Sequence, residues 1–96
     1  MYNAKLKIEQ VHYEMLRRYI GIIIAESKFT FNELKNGYLG SGLSEKRFRW
    51  DMYWAANKKF NQDTGEHFHD RLYLYINDTH IDSALKCIIK EFENEG

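Results

Sequence analysis

The chain has 96 residues, a length that predicts one domain over 1–96 rather than two. Its 14 basic and 14 acidic side chains balance, which argues against a protein that binds nucleic acid through a basic excess and against an acidic mimic of DNA. Hydrophobic residues make up 44% of the chain and aromatic residues 16%, which excludes a disordered segment.

The apolar runs and the single cysteine indicate a protein of the cytoplasm. The longest apolar run, Ile20–Ala25, is far shorter than the roughly 20 residues of a membrane span. The first 16 residues contain no continuous apolar core of a secretory signal. Because Cys87 is the only cysteine, an internal disulfide is excluded and a reducing compartment fits. We therefore expect no membrane partner.

The N-terminal quarter of the sequence predicts a helix over about 8–27. Residues 2–8 alternate between apolar and polar, which fits an edge strand as well as the start of this helix. The isoleucine-rich part also fits a buried strand, because β-branched residues favour sheets. The face expected to be buried carries Val11, Met15, Tyr19, Ile22 and Ile23.

Two capping patterns predict the next two helices. Thr30 and Glu33 have the spacing of a capping box, which predicts a helix over 31–36 that stops at Asn36-Gly37. Residues 38–43 are then interpreted as a flexible loop. Ser44 caps a helix over about 44–60. Because this helix is apolar around most of its circumference, we expect it to lie at the centre, with the first and last helices packed on it.

In the C-terminal part, the secondary structure predicted for 67–76 is ambiguous, whereas 79–93 clearly predicts a helix. Residues 61–65 predict a turn, and 67–76 fits a helix or, with Asp63–Gly65 as the tip, a β-hairpin. We expect the helix. Thr79 and Asp82 predict a second capping box that opens a helix over about 79–93 with one apolar stripe. The predicted fold class is mainly α, a bundle of four or five helices, with a minor hairpin or edge strand as the alternative.

The sequence contains no pattern that favours an enzyme. Cys87 falls in the middle of a predicted helix, whereas reactive thiols usually lie at a helix N-terminus, where the thiol pKa falls. Glu66 and Asp70 are one helical turn apart, which is typical of a solvated face. There is no nucleophile elbow, phosphate loop or dinucleotide fingerprint. We expect no catalytic residue and no cofactor.

A metal site is also not expected. His67 and His69 would point to different sides of a helix, although they would share a side of a strand. His80 and Cys87 share a helix face, but seven residues place them about 10 Å apart along the axis. Ligands of one zinc ion must converge more closely than that.

The second and third predicted helices have the outline of a helix-turn-helix, which makes a DNA-binding regulator one alternative. Its base and phosphate contacts would come from Lys46, Arg49, Asn57, Lys58 and Lys59. Two features argue against it. The predicted connection has about seven residues, where the motif has three or four, and the third helix lacks one wide polar face.

The segment 48–54 favours a protein-binding surface instead, because it is rich in Trp, Tyr, Met and Arg, the residue types of interface hot spots. Taken singly, each tryptophan is better explained as core. Yet 7 Tyr, 6 Phe and 2 Trp exceed what one small core hides, which favours a partner or a homodimer. The predicted partner-binding residues are Tyr38, Arg47, Arg49, Asp51 and Lys58.

Two stretches, 47–55 and 72–85, resemble short, mostly uncharacterised proteins of bacteriophages and other mobile elements. The pattern is RWDxxW, then an aromatic-rich segment, then NDxHIDxAL, and it covers about a quarter of the chain. No fold or activity comes with it. The resemblance implies a non-catalytic protein that engages a host protein or complex in the bacterial cytoplasm, for example as an inhibitor of host defence. A DNA-binding regulator and a homo-oligomeric structural or adaptor protein are the alternatives.

Overall fold

The computed structural model describes residues 8–73 and 77–95, which form five helices and contain no strand. The helices are α1 (Gln10–Ser27), α2 (Phe31–Gly40), α3 (Glu45–Thr64), α4 (Phe68–Tyr73) and α5 (Asp78–Glu95). The predicted mainly helical class is confirmed. The alternative hairpin is wrong, because its expected tip overlaps the end of α3 and α4 follows it as a helix. Apart from Ile8, the alternative strand at 2–8 lies outside the described residues.

The central position predicted for the third helix is confirmed, since α3 contacts each of the other four helices. Both α1 and α5 pack on it, as expected. The face of α3 that is buried in the core carries Phe48, Met52, Tyr53, Ala56 and Phe60. Fully buried aliphatic side chains of the surrounding helices fill the space against this face: Leu16, Ile20, Leu72, Ile81, Leu85 and Ile88.

The capping box at the start of α2 is confirmed, but the predicted end of this helix is wrong. The Glu33 amide donates to Thr30 Oγ1 at 3.1 Å, and the Thr30 amide donates to Glu33 Oε1 at 2.9 Å. The helix then continues through the expected stop and loop to Gly40. Tyr38 explains the difference, because its ring packs on Phe48 of α3 at 5.1 Å between centroids. This tertiary contact outweighs the local stop signal.

The Ser44 cap of α3 is confirmed, since the Arg47 amide donates to Ser44 Oγ at 3.0 Å. The helix runs past the predicted end at 60 and stops at Gly65, which has φ of 75°. Only glycine adopts this left-handed conformation without strain. The extension is explained by Phe60, whose ring packs edge-on against Tyr19 and Phe68.

The expected buried face of α1 is wrong in part. Val11 is 54% exposed, and the buried residues of the helix are His12, Tyr13, Leu16, Tyr19 and Ile20. The side of α1 that contacts α5 carries Arg17 and Gly21, and neither residue belongs to the predicted buried face. Arg17 Nε donates to Glu91 Oε2 at 2.8 Å, and a Cβ at Gly21 would lie only 3.3 Å from Phe92 Cζ. Apolar residues surround most of α1, so their spacing alone does not decide which side is buried.

The last helix has the expected apolar stripe but a different cap. Its capping residue is Asn77, whose Oδ1 accepts from the His80 amide at 3.1 Å, so the predicted box at Thr79 and Asp82 is wrong. The helix therefore begins one residue before the expected bound and extends to Glu95. The helix predicted over 67–76 is observed as Phe68–Tyr73, and 74–76 lies outside the described residues.

Replacing a core ring of α3 should destabilise the fold far more than replacing an exposed ring. Phe48 is 1% exposed, so Phe48→Ala should lower the free energy of unfolding by about 3–5 kcal/mol. Phe29 is 59% exposed, and Phe29→Ala should change it by less than about 1 kcal/mol. Urea denaturation followed by circular dichroism measures both. Similar losses in the two variants would contradict the assignment of the core.

Candidate binding groove between α3, α4 and α5

A groove of about 560 Å³ lies where α3, α4 and α5 meet. Its volume is within the range of ligand-binding clefts in proteins. The lining residues are Lys46, Trp50 and Trp54 from α3, His69 and Tyr73 from α4, and Asp78, Thr79, Asp82, Ser83 and Lys86 from α5.

The α3 wall of the groove is a stripe distinct from the core face of the same helix. Lys46, Trp50 and Trp54 are four residues apart and so lie one above the other. Trp54 is 47% exposed, which makes its interpretation as a core residue wrong, whereas Trp50 is half-buried. The helix is apolar around most of its circumference because one side packs in the core and another side lines the groove.

Packed aromatic rings form the floor at one end of the groove. Trp54 and Tyr73 pack on His69, with centroid distances of 4.6 and 4.2 Å. Beneath them lies Tyr53, which is fully buried and contacts both tryptophans, at 5.2 Å from Trp50 and 5.3 Å from Trp54. Tyr73 is 40% exposed, so the two outer rings of the series present open surface to solvent.

A hydrogen bond joins the buried Tyr53 to His69 in the floor of the groove. The Tyr53 hydroxyl contacts His69 Nδ1. Burial raises the pKa of Tyr53, and the charges of Asp78 and Asp70 act in the same direction, so the hydroxyl keeps its proton. Burial lowers the pKa of His69, so its ring is neutral at pH 7.

Side chains of α3 hold the short helix α4 in place. Asn57 Oδ1 accepts from the His69 amide, and Asn61 Oδ1 accepts from the Phe68 amide, both at 2.9 Å. These bonds satisfy amides of the first turn, which no helical carbonyl can reach. They therefore fix the backbone from which His69 enters the groove.

An ion pair ties α3 to α5 along the groove. Arg49 donates from Nε to Asp82 Oδ1 at 3.0 Å and from Nη2 to Asp82 Oδ2 at 3.4 Å. The two side chains are only 11% and 20% exposed, so solvent screens this pair less than it screens a surface pair. Lys86 Nζ lies 3.7 Å from the same carboxylate. Asp82 is thus neutralised within the protein. Asp78, in the first turn of α5, forms no ion pair within the described ranges.

The structure divides the predicted partner-binding residues between two surfaces. The Tyr38 hydroxyl and Arg47 Nε donate to the two oxygens of Asp51, at 3.0 and 3.1 Å. Lys58 is exposed on the same face of α3, two helical turns beyond Asp51. Arg49 instead pairs with Asp82, which lines the groove. A role in binding stays a prediction for all five.

Most of the predicted DNA-contacting residues form contacts with other residues of this chain. Arg49 pairs with Asp82, Asn57 caps α4, and Lys59 Nζ lies 3.2 Å from a carboxylate oxygen of Glu26. Within the described part of the chain this leaves Lys46 and Lys58. The connection from α2 to α3 has four residues, 41–44, so the predicted length of seven is wrong. Four residues is within the length that a helix-turn-helix motif has at this place.

Both stretches of the sequence pattern, 47–55 and 72–85, contribute residues to the groove. RWDxxW supplies the lining residues Trp50 and Trp54, and NDxHIDxAL supplies Asp78 and Asp82. Asn77 of the second stretch caps α5. The sequence analysis did not single out the groove, although its walls share one signal. The lining residues repeat at intervals of four, as 46-50-54, 69-73 and 78-82-86.

Comparisons with protein-family models, with curated proteins and with solved structures find no match to this chain. Within residues 8–73 and 77–95, no three His, Cys, Asp or Glu side chains gather as ligands for a metal ion. No helix in the same ranges combines the length and the apolar character that crossing a membrane requires.

Stability should fall as the pH decreases below neutral. Burial lowers the pKa of both His12 and His69 from about 6.5 in the unfolded chain. The unfolded chain therefore binds more protons below that pH, and the free energy of unfolding decreases as pH falls through it. Urea denaturation at pH 7.5 and 5.5 measures the decrease. It should be smaller in His69→Gln, and an unchanged decrease in that variant would contradict the neutral, buried state of His69.

Proposed function

We propose that this chain is a non-catalytic binding protein of the phage or mobile-element type, and that the groove between α3, α4 and α5 receives part of a host protein. The observation that carries the proposal is the pair of open rings, Trp54 and Tyr73, held on helices at one end of a groove. Tryptophan and tyrosine are enriched among residues that dominate binding energy at protein interfaces.

The rigidity of the floor supports this proposal. Trp54 and Tyr73 both pack on His69, and His69 is held by the buried Tyr53 hydroxyl and by the Asn57 side chain. Rings that are already ordered lose little conformational entropy when a partner covers them. The sequence pattern adds support, because its two halves meet at this groove.

The lining of the groove supports binding over catalysis. Its hydroxyl groups belong to Tyr73, Thr79 and Ser83, and none of the three donates to a base within the described residues. His69 Nδ1 is already taken by Tyr53. An activated nucleophile requires a base within hydrogen-bonding reach, and no such pair lines the described groove.

Charge supports a protein partner over nucleic acid. Asp78 lines the aromatic end of the groove, and Asp70 follows His69 directly in the chain. These carboxylates would repel a phosphate backbone at the place where bases would stack on the rings. The alternative, a DNA-binding regulator, is supported by Lys46 and Lys58, which are unpaired within the described residues, and by the four-residue connection between α2 and α3. On this alternative, binding should weaken steeply as the salt concentration rises.

Loss of the open tryptophan should abolish capture of the partner. Tagged protein is incubated with a bacterial lysate treated with nuclease, and Trp54→Ala is compared with wild type. Truncation of a hot-spot residue costs at least about 2 kcal/mol, so retained partner should fall by roughly 30-fold. Phe29→Ala is the matched control, since Phe29 is 59% exposed but lies outside this groove. Circular dichroism confirms that both variants remain helical.

Two results would overturn the groove as the binding site. Capture that survives Trp54→Ala but is lost in Arg47→Glu and Lys58→Glu, with helicity intact, would place the site on the face of α3 that carries Arg47, Asp51 and Lys58. Recovery of DNA from an untreated lysate, with no protein retained after nuclease, would favour the regulator.

A further inference from the structure

The aromatic end of the groove, formed by Trp54, His69, Tyr73 and Asp78, combines exposed aromatic rings with a carboxylate. We propose that this end binds a basic side chain of the protein partner, an arginine or a lysine. The proposal rests on the proposed function and names the chemistry that the groove recognises. The cation would lie against the rings of Trp54 and Tyr73, with Asp78 as its counter-ion.

The ring faces supply the first half of this recognition. Trp54 and Tyr73 are 47% and 40% exposed, and the ring of His69 packs between them. A guanidinium or ammonium group over such a face is attracted by the ring quadrupole, most strongly over tryptophan. His69 is neutral because burial lowers its pKa, so it does not repel an incoming cation.

The carboxylates supply the second half. Neither Asp78 nor Asp70 forms an ion pair with any described residue, unlike Asp82, which is neutralised by Arg49 and Lys86. Both carboxylates act on the pKa of the buried Tyr53 and of His69, which shows that their negative field reaches the floor of the groove. A partner cation placed there would be held by attraction from both.

The basic residues of the groove lie too far away to cancel this field. Lys46 is two helical turns from Trp54, and Lys86 is eight residues from Asp78, so each is separated by about 12 Å along its helix axis. Charges beyond the screening length of about 8 Å at physiological salt interact weakly. On α4, Arg71 Nη1 is paired with Glu66 Oε2 at 2.6 Å. The groove is therefore negative at its aromatic end and positive at the other.

The test uses a minimal probe, N-acetyl-arginine amide, and its neutral isostere, N-acetyl-citrulline amide. The two tryptophan indole N–H resonances of the full chain are followed by NMR and assigned with Trp50→Phe and Trp54→Phe. The arginine probe should shift the Trp54 resonance in a saturable manner, and the citrulline probe should not. Asp78→Asn should weaken binding of the arginine probe by at least about threefold, the lower range of such contacts.

The matched control is Asp63→Asn, because Asp63 is an exposed carboxylate at the end of α3 that does not line the groove. This variant should bind the arginine probe like wild type. Equal binding of the two probes, no binding of the arginine probe, or an unaltered affinity in Asp78→Asn would each overturn the proposal. A single-stranded oligonucleotide that displaces the arginine probe and depends on Trp54 would overturn it in favour of nucleic acid.

The probe experiment separates this inference from the proposed function. If capture of a protein depends on Trp54 but the arginine probe does not bind, the groove is the docking site and its specificity for a cation is overturned. If the arginine probe binds but capture is unchanged in Trp54→Ala, the cation site is supported and the groove as the docking site of that partner is overturned.

Discussion

Tyr53 connects the core of this protein to its candidate binding surface. Its ring is fully buried and contacts both tryptophans, and its hydroxyl forms a hydrogen bond with His69 of α4. A buried hydroxyl that found no acceptor would cost about 1–3 kcal/mol, so the position of α4 and the packing of the core depend on each other. The open rings of Trp54 and Tyr73 are consequently part of a rigid assembly, which is what a preorganised interface requires.

The arrangement of charge follows from the same packing. Where α3 lies against α5, Arg49 and Asp82 meet and neutralise each other at low exposure. At the end of the contact, the first turn of α5 presents Asp78 beside the aromatic floor. A carboxylate is favoured there by the positive end of the helix dipole. One helix–helix contact thus produces a neutral middle and a negative, ring-lined end.

For α2 and α3, local signals in the sequence predicted where each helix begins, and tertiary contacts decided where it ends. The caps at Thr30 and Ser44 are confirmed because they need only side chains within three residues of one another. The ends of α2 and α3 were wrong because Tyr38 and Phe60 extend these helices through contacts with distant residues. No local signal reports such contacts.

The candidate site was less predictable than the fold. Apolar residues surround α3, and their spacing cannot tell that Phe48 is core while Trp54 is open. Arg49 was predicted as a binding residue, but its partner Asp82 is 33 residues away in the chain. The repeat of groove residues at intervals of four was present in the sequence. Only the packing of α3, α4 and α5 shows that these three repeats line one groove.

The central claim is that α3 has a core face and a separate open face, and the two tryptophans test it most directly. Acrylamide quenching of fluorescence is measured in Trp50→Phe, which retains only Trp54, and in Trp54→Phe, which retains only Trp50. Trp54 should be quenched strongly, because its side chain is nearly half exposed, and Trp50 should be quenched weakly, because its indole nitrogen is buried. Equal quenching, or stronger quenching of Trp50, would contradict the orientation of α3 on which the groove depends.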